Sequence, residues 1–537
     1  MQGTMMHFPL TLTGILERAG RLFGGVEVVS RLPDMSLHRY TYRDFHRRAR
    51  ALADALQAAG LRRGDRVATL MWNHYAHLEA YFGVPAAGCV VHTLNLRLEP
   101  ADIAYIVNHA EDRFLIVDDV LLPLYEKFKD KVHLQRVIVV PLSKGPVPVG
   151  LTDYEEFLKS ATGEFAYPEL DENEAAGMCY TSGTTGKPKG VVYSHRSLVL
   201  HSLTEGMVDS LALGHQDTVL PVVPMFHANA WGLPFTSTMV GAKQVFPGPH
   251  LAPEALLDLY EREQVTVSAG VPTIWFGVLQ ALQQQPERWH LVPGLRMAVG
   301  GAAAPEAMIR GFDRLGIRVI HAWGMTETTP LGTVSYVKRD LRDVPEDKSY
   351  GLRAMQGIPV PYVEVRSVQG DAEVPWDGRS MGELQVRGPW VAASYYRLPD
   401  ASDQFTSDGW FRTGDVATIT PEGYVKITDR IKDLIKSGGE WISSQDMENA
   451  LMGHPAVAEA AVIGLPHPKW QERPLAAVVL KRDAQCSVEE LRGYLAQRFA
   501  RWWVPDAFVF LDEIPRTSAG KFLKSSLRTR FKDWTWE

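Results

Sequence analysis

Residues 178–195 read MCYTSGTTGKPKGVVYSH. The stretch sets the hydroxyls of Thr181, Ser182, Thr184 and Thr185, the glycines Gly183 and Gly186, and the ammonium groups of Lys187 and Lys189 between two apolar runs. Small residues let backbone N–H groups and hydroxyls converge on an anion, and lysine neutralises it, so the chemistry this stretch suits is phosphate binding. It is not a Walker-type loop: Pro188 stands where G-x-x-x-x-G-K-[ST] needs its second glycine, and Lys187 is followed by Pro188 rather than Ser or Thr. GRSMG, residues 378–382, matches the G-x-S-x-G nucleophile elbow of hydrolases. A PWDG turn precedes it and the strand-like ELQVRG follows, so Ser380 is assigned to a hairpin region and a serine hydrolase is rejected.

Four further segments carry groups able to act on a phosphate-bearing ligand. AWGMTET (322–328) ends an apolar run and contributes Trp323 and Glu327. WFRTGD ends on Asp415, DRIKDLIKSGGEW spans 429–441, and PRTSAGKF (515–522) contains Lys521. PMFHANAWG adds His227 and Trp231, four apart, at one helical turn or across a loop. Taken singly, each has an ordinary reading. Glu327 is a solvated or capping carboxylate, Trp323 a core residue, Asp415 a turn residue, residues 429–436 a solvated charge run, Lys521 a surface cation, and His227 with Trp231 a core pair. No metal site is read from His227, and His195 and His201 are read as structural.

The elements that must position these groups alternate. From Tyr42 to about Val140, YRDFHRRARALADALQAAG and EPADIAYIVNHA show helical spacing, while DRVATLMW, RFLIVDD and RVIVVP read as buried strands. After the glycine-rich turn come a helix (SLVLHSLTEGMVDSLAL), strand (DTVLPVV), helix (EALLDLYEREQ), and the strands VTVSAGVP, LRMAVGG and RVIHAWG. Repeated βα units predict an α/β fold with ligands at the carboxyl ends of strands. From about Gly351 short strands with turn signals (YVEVRSV, GELQVRG, EGYVKITDR) predict a β-rich subdomain, and a compact α+β domain of about 100 residues follows the charged stretch. The expected division is a large N-terminal domain over 1–429, a hinge at 430–433, and a small C-terminal domain over 434–537.

A length of 537 residues requires more than one core. The net charge of −7 argues against a nucleic-acid footprint. Cys89, Cys179 and Cys486 are too few and too scattered for a disulfide framework or a zinc-ligand pair, so a reducing cytoplasm is expected. No signal peptide and no membrane-spanning run are read.

Together, the five motifs in this order resemble the adenylate-forming superfamily of acyl-CoA synthetases, luciferases and adenylation domains, over essentially the whole chain. PMFHANAWG and KSGGEWISS look most like bacterial medium- and long-chain fatty-acyl-CoA synthetases. The resemblance implies ATP-driven activation of a carboxylic acid to an acyl-adenylate and pyrophosphate, then transfer to CoA, with Mg²⁺ as the metal. It implies that Thr181, Ser182, Gly183, Thr184, Thr185, Gly186 and Lys189 form the triphosphate loop, and that Thr181 and Glu327 offer hard oxygens to Mg²⁺.

By the same resemblance Trp323 stacks on adenine, and Gly301, His321, Ala322 and Thr326 line the nucleotide. Asp415 holds the ribose diol, and Arg430, Lys432, Lys436 and Trp441 contribute to the nucleotide site. Lys521 is the adenylation cation, brought in by a mobile C-terminal domain that turns about the hinge. His227 and Ala228 lie by the acid and Trp231 gates an acyl tunnel, which the small residues Ala230, Gly232, Gly300, Ala302, Ala303 and Ala304 would leave open. Gly438 and Gly439 border the CoA route. A short thioether or aryl acid, a carrier protein in place of CoA, and a catalytically silent binding protein remain alternatives. A homodimer is expected by analogy with related bacterial enzymes.

Overall fold

The computed structural model describes residues 1–181, 187–438, 440–516 and 522–536. Two α/β sheets dominate. The first has seven strands in the order Thr152–Asp153, Arg136–Val140, Asp112–Asp118, Arg66–Leu70, Val90–Thr93, Ala175–Tyr180, Gly190–Ser194. All neighbours are parallel except the last pair, which is an antiparallel hairpin. The second has nine strands, with a parallel centre running from Arg318–Gly324 through Arg296–Val299, Val267–Gly270, Thr218–Pro221 and Lys243–Phe246 to Glu27–Arg31. Antiparallel strands cap both edges. The central strands are buried along most of their length, as in parallel sheets covered by helices on both faces.

Helix Tyr42–Ala58 begins in a capping box between Thr41 and Asp44 and buries the stripe Phe45, Ala49, Leu52, Ala53 and Leu56. It packs on helix Tyr75–Ala86, every residue of which is buried. That helix touches strands of both large sheets, so it has no face left for water and no polar stripe in its sequence. Its Glu79 is compensated by Arg48 at 2.7 Å and by the Tyr154 hydroxyl at 2.8 Å.

The apolar run that predicts a helix through 213 is helical only over His195–Glu205. Beyond Gly206 the Met207 carbonyl accepts from Ser210 and Ala212, and Ala212 is left-handed, which closes a turn. Likewise Gly351 falls inside helix Glu346–Ala354, so the β-rich part begins later than its sequence texture suggests. Its five-stranded antiparallel sheet has the order Ala372–Glu373, Glu364–Gln369, Gly382–Arg387, Phe411–Ile419, Val425–Arg430. Ser380 lies in an exposed turn in which Asp377 accepts from the Arg379 and Ser380 amides and the Ser380 hydroxyl.

A last sheet begins at Ile435–Ser437, paired with Glu440–Ile442 and Gln471–Leu480. Val457–His467 and Ala507–Phe510 flank the latter strand, and helices Ser444–Met452 and Val488–Ala496 cover the sheet. Among the described residues no helix is long and apolar enough to cross a membrane.

Candidate functional site

Thr181 and Lys189 leave the paired strands Ala175–Tyr180 and Gly190–Ser194 and remain bonded to each other. The Thr181 amide donates to the Lys189 carbonyl at 2.9 Å, and the Lys189 amide donates to the Thr181 hydroxyl at 3.1 Å. The sheet thus clamps both ends of the glycine-rich segment. Ser182, Gly183, Thr184, Thr185 and Gly186 lie outside the described residues. The Lys189 ammonium sits 4.8 Å from the centre of the Tyr395 ring and 3.1 Å from the Gln404 side-chain oxygen.

Tyr395 also donates to Glu327, 2.6 Å from its hydroxyl. Glu327 and Thr326 form a short turn after strand Arg318–Gly324, tied down by the Ala392 amide on the Glu327 carbonyl and the Tyr193 hydroxyl on the Thr326 carbonyl. The chain can reverse there because a Cβ at Gly324 would overlap the Pro330 carbonyl oxygen, 1.8 Å away. Glu327 is only 6% exposed, and burial, then this neighbouring carboxylate, pushes the Tyr395 hydroxyl far above its usual pKa. Thr181 and Tyr395 come from different sheets and loops, and Tyr395 links Lys189 to Glu327.

On the same strand, Trp323 reaches across to the five-stranded sheet. Its indole N–H donates to one oxygen of Asp415 at 3.0 Å, while Arg430 Nε pairs with the other at 2.6 Å. Asp415 and Arg430 are direct cross-strand partners in adjacent antiparallel strands. Asp415 is 2% exposed, so its charge is held by two donors rather than by water. A carboxylate has about four lone-pair sites, and two stay open, the number a vicinal diol needs. The edge of the Trp323 ring lies against the Gly332 backbone.

His321 is buried and bonded at both nitrogens, its Nδ1 to the Ala354 carbonyl and its Nε2 to the Ala304 amide. Burial lowers its pKa to about 4, so it is neutral. Ala322 follows it on the strand, and Gly301, in a left-handed conformation, borders an apolar cleft with Ala302, Phe276, Met452, Arg516 and Phe522.

HANAWG adopts neither an ordinary helical turn nor a plain loop. Ala228, Asn229, Ala230 and Trp231 all have φ between 44° and 57°, and Gly232 follows at 84°, which makes one left-handed helical turn. Each non-glycine residue there costs about 1–2 kcal/mol, so the turn must be held from outside. Cys179 Sγ donates to the Asn229 side chain at 3.1 Å, and Pro224 and His227 carbonyls accept from the Ala230 amide. Behind it, a Cβ on Gly232 would meet His201 Cε1 at 2.5 Å and Glu205 at 3.1 Å. His201 accepts from the Leu331 amide, and Glu205 accepts from the Thr236 hydroxyl. The turn sets the Trp231 ring against Gly300, whose other near neighbour is the Ala322 carbonyl. His227 precedes the turn and Ala228 is buried within it.

Arg430 ends its strand, and the next sheet begins at Ile435. Lys432 lies between them, and Asp433 pairs with Arg528 at 2.7 Å. Lys436 and Trp441 are opposite each other on the hairpin whose tip is Gly438, left-handed and exposed. Gly439 and Lys521 lie outside the described residues.

Tyr395, Gln404 and Glu205 are not marked by sequence motifs, and Asn229 lies inside PMFHANAWG without being singled out there. Only SYYRLPD, an aromatic pair before a turn, gives any signal for Tyr395.

Comparison with known proteins fits this geometry. Residues 17–396 match the family of AMP-binding enzymes, and 446–521 match the AMP-binding enzyme C-terminal domain. A long-chain-fatty-acid–CoA ligase of Thermus thermophilus is 52% identical over 99% of this chain and 97% of its own. A 3-methylmercaptopropionyl-CoA ligase of Ruegeria lacuscaerulensis is 44% identical over 99% of both. The solved anthranilate CoA ligase AuaEII, in complex with anthranoyl-AMP, superposes with a TM-score of 0.88 at 26% identity over 98% of both chains.

Proposed function

The chain belongs to the AMP-binding enzyme family, and on that premise we propose which acid it activates and which side chains do the work. It is an AMP-forming acid–CoA ligase: a carboxylate oxygen attacks the α-phosphorus of ATP and pyrophosphate leaves. The CoA sulfur then attacks the acyl carbonyl, AMP leaves, and the thiol proton passes to solvent. The preferred substrate is a medium- to long-chain fatty acid, with the long-chain end supported by 52% identity to a long-chain ligase against 44% to both a medium-chain and a thioether-acid ligase.

The observation that carries the site is the union of Trp323, Asp415 and Arg430 across two sheets. Asp415 takes the ribose diol with its two open lone-pair sites, Arg430 orients it, and the Trp323 ring lies under adenine. Residues 181–189 close on the phosphates, and Lys189 is held ready over Tyr395. Glu327 and Thr181 are hard oxygen donors suited to Mg²⁺, which when bound neutralises phosphate charge. Tyr395 holds Glu327 in place for that task. Trp231, presented by the left-handed turn, separates the acid route from the nucleotide. Residues 430–433 are the hinge between the large and small domains, and Lys432 and Lys436 approach the nucleotide from it, with Trp441. Lys521 is the adenylation cation; its flanking residues Arg516 and Phe522 line the cleft beside Gly301, which supports that role. Gly438 and Gly439 leave room for pantetheine. The enzyme works in the cytoplasm as a homodimer, which sedimentation checks.

The test is to incubate the chain with ATP, Mg²⁺, CoA and acids from short thioether and aryl acids to long fatty acids. Medium- and long-chain acyl-CoA plus AMP is the expected outcome. Preference for a thioether or aryl acid overturns the substrate, and acyl-AMP without thioester points to a carrier protein.

A further inference from the structure

The cysteine spacing suggests no metal ligands, but folding brings Cys486 against a histidine and a glutamate from elsewhere in the chain. His454 follows helix Ser444–Met452, Cys486 stands immediately before Ser487, the N-cap of helix Val488–Ala496, and Glu490 lies in the first turn of that helix. One ligand atom from each lies within 4.8 Å of the other two, and His454 Nε2 is 3.8 Å from a Glu490 oxygen. Among the described residues, none of the three is hydrogen-bonded or ion-paired to Thr181, Glu327 or Asp415.

We propose that His454, Cys486 and Glu490 bind one Zn²⁺ ion, pinning the end of the first helix of the C-terminal module to the start of the second. Thiolate, imidazole and carboxylate are the donors zinc takes, and three protein ligands are the number it takes where a fourth position stays open. With Zn–S near 2.3 Å and Zn–N and Zn–O near 2.0 Å, tetrahedral ligands stand roughly 3.3–3.6 Å apart. The observed separations need to close by only about an ångström. Glu490 can supply its share of that movement, because its side chain is 57% exposed, and a χ1 adjustment of Cys486 supplies the rest.

The other two ligands are already held. His454 is 7% exposed, and its ring meets Tyr494 edge-on, centroids 4.9 Å apart at 90°. Cys486 packs against the apolar cluster under both helices. Binding through His454 Nε2 gives up one contact, the Ala456 amide on Nδ1, which is long at 3.3 Å. The Cys486 sulfur–hydrogen bond breaks, the sulfur–zinc bond forms, and the proton leaves to solvent, with no change in oxidation state.

Full-length protein stripped with chelator and titrated with Co²⁺ alone tests the site. The expected result is a thiolate-to-cobalt charge-transfer band and tetrahedral visible bands that saturate at one metal per chain and are bleached by Zn²⁺. Cys486→Ser loses the charge-transfer band while keeping ligase activity, and Glu490→Gln shifts the visible bands. Three results overturn the proposal: no charge-transfer band in the wild type, the same band in Cys486→Ser, or visible bands unmoved in Glu490→Gln. Cys89 and Cys179 are buried and serve as internal controls for thiol specificity.

Discussion

Replacing Trp323 by phenylalanine separates the two jobs that the proposed function gives the indole, stacking on adenine and anchoring Asp415 for the ribose. Phenylalanine keeps an aromatic face for adenine but removes the N–H that donates to Asp415 at 3.0 Å. A hydrogen bond to a buried carboxylate contributes about 1.5–3 kcal/mol, so its loss corresponds to roughly 10–150-fold in an equilibrium constant. Arg430 remains, but its side chain is 39% exposed, and water weakens the pair from that end. Asp415 is then free to turn away from the position that leaves two lone-pair sites for the ribose.

The expected outcome is a rise in the KM for ATP of roughly tenfold or more, with kcat for adenylation and the KM for the acid little changed. Pyrophosphate release gives the kinetics and AMP binding by calorimetry gives the affinity. A thermal melt confirms that the variant folds. The double variant Trp323→Phe/Asp415→Asn decides the route of the effect. It matches Asp415→Asn alone when the indole acts through Asp415. An unchanged KM for ATP, or fully additive losses, refutes the anchoring argument and leaves stacking as the only role.

Tyr395→Phe removes the donor to Glu327 and keeps the ring under Lys189, so activity at limiting Mg²⁺ drops roughly 10–100-fold and partly recovers as Mg²⁺ is raised; a metal-independent loss assigns Tyr395 to packing. Gly232→Ala pushes a methyl into His201, which the Leu331 amide holds, at a position with φ of 84°. It costs about 2–4 kcal/mol in denaturant unfolding and raises the KM for the acid more than that for ATP.

Burial pushes Glu205 up to about 8 and His201 down to about 3. The native chain therefore binds more protons at Glu205 than the unfolded chain between about pH 4.5 and 8, and stability falls as pH rises through that window. Above about pH 6.5 unfolded histidine is also neutral, so from there to pH 8 the wild type loses about 2 kcal/mol relative to Glu205→Gln; parallel pH curves for the two proteins contradict this. Lys521→Ala cripples adenylation but spares thioester formation from supplied acyl-adenylate, and equal loss in both half-reactions removes the proposed division of labour.

What could be read from the sequence follows from local signals. Strands Asp112–Asp118 and Arg136–Val140 carry the unbroken apolar runs FLIV and VIVV, and the Pro421–Glu422–Gly423 turn marks the hairpin whose strands carry Asp415 and Arg430. Register counted from that turn would set Asp415 opposite Asp429, and only a one-residue shift between Val416 and Ala417 brings Arg430 there, so the Asp415–Arg430 pair itself was not legible in the sequence. Nor was helix Tyr75–Ala86, because a helix buried on every side has no 3.6-residue polar rhythm. The left-handed turn at HANAW was hidden for another reason. Its local permissions are Gly232 and Asn229, and Asn229 is also held by Cys179 from a distant strand. Tyr395, likewise, acts on Glu327 through tertiary contact and belongs to no recognisable spacing.

These long-range contacts explain why the site is distributed over so much chain. Thr181 and Lys189 belong to the seven-stranded sheet, Trp323 and Glu327 to the nine-stranded sheet and the turn after it, and Asp415 and Arg430 to the antiparallel one. Tyr395 joins the first pair to the second, and Trp323 joins the second to the third. Arg430 stands at the far end of this series, as the last residue of its strand before the chain enters the C-terminal sheet. The residues that follow it are fastened in turn, Ile431 to the Gly414 carbonyl at 3.0 Å and Asp433 to Arg528 at 2.7 Å. The hinge proposed at 430–433 lies directly after the Arg430–Asp415 pair, so a turn there acts on that pair. In the proposed function, module orientation and grip on the ribose are consequently one equilibrium read at two places, and a ligand that strengthens the ion pair favours one orientation by the same free energy.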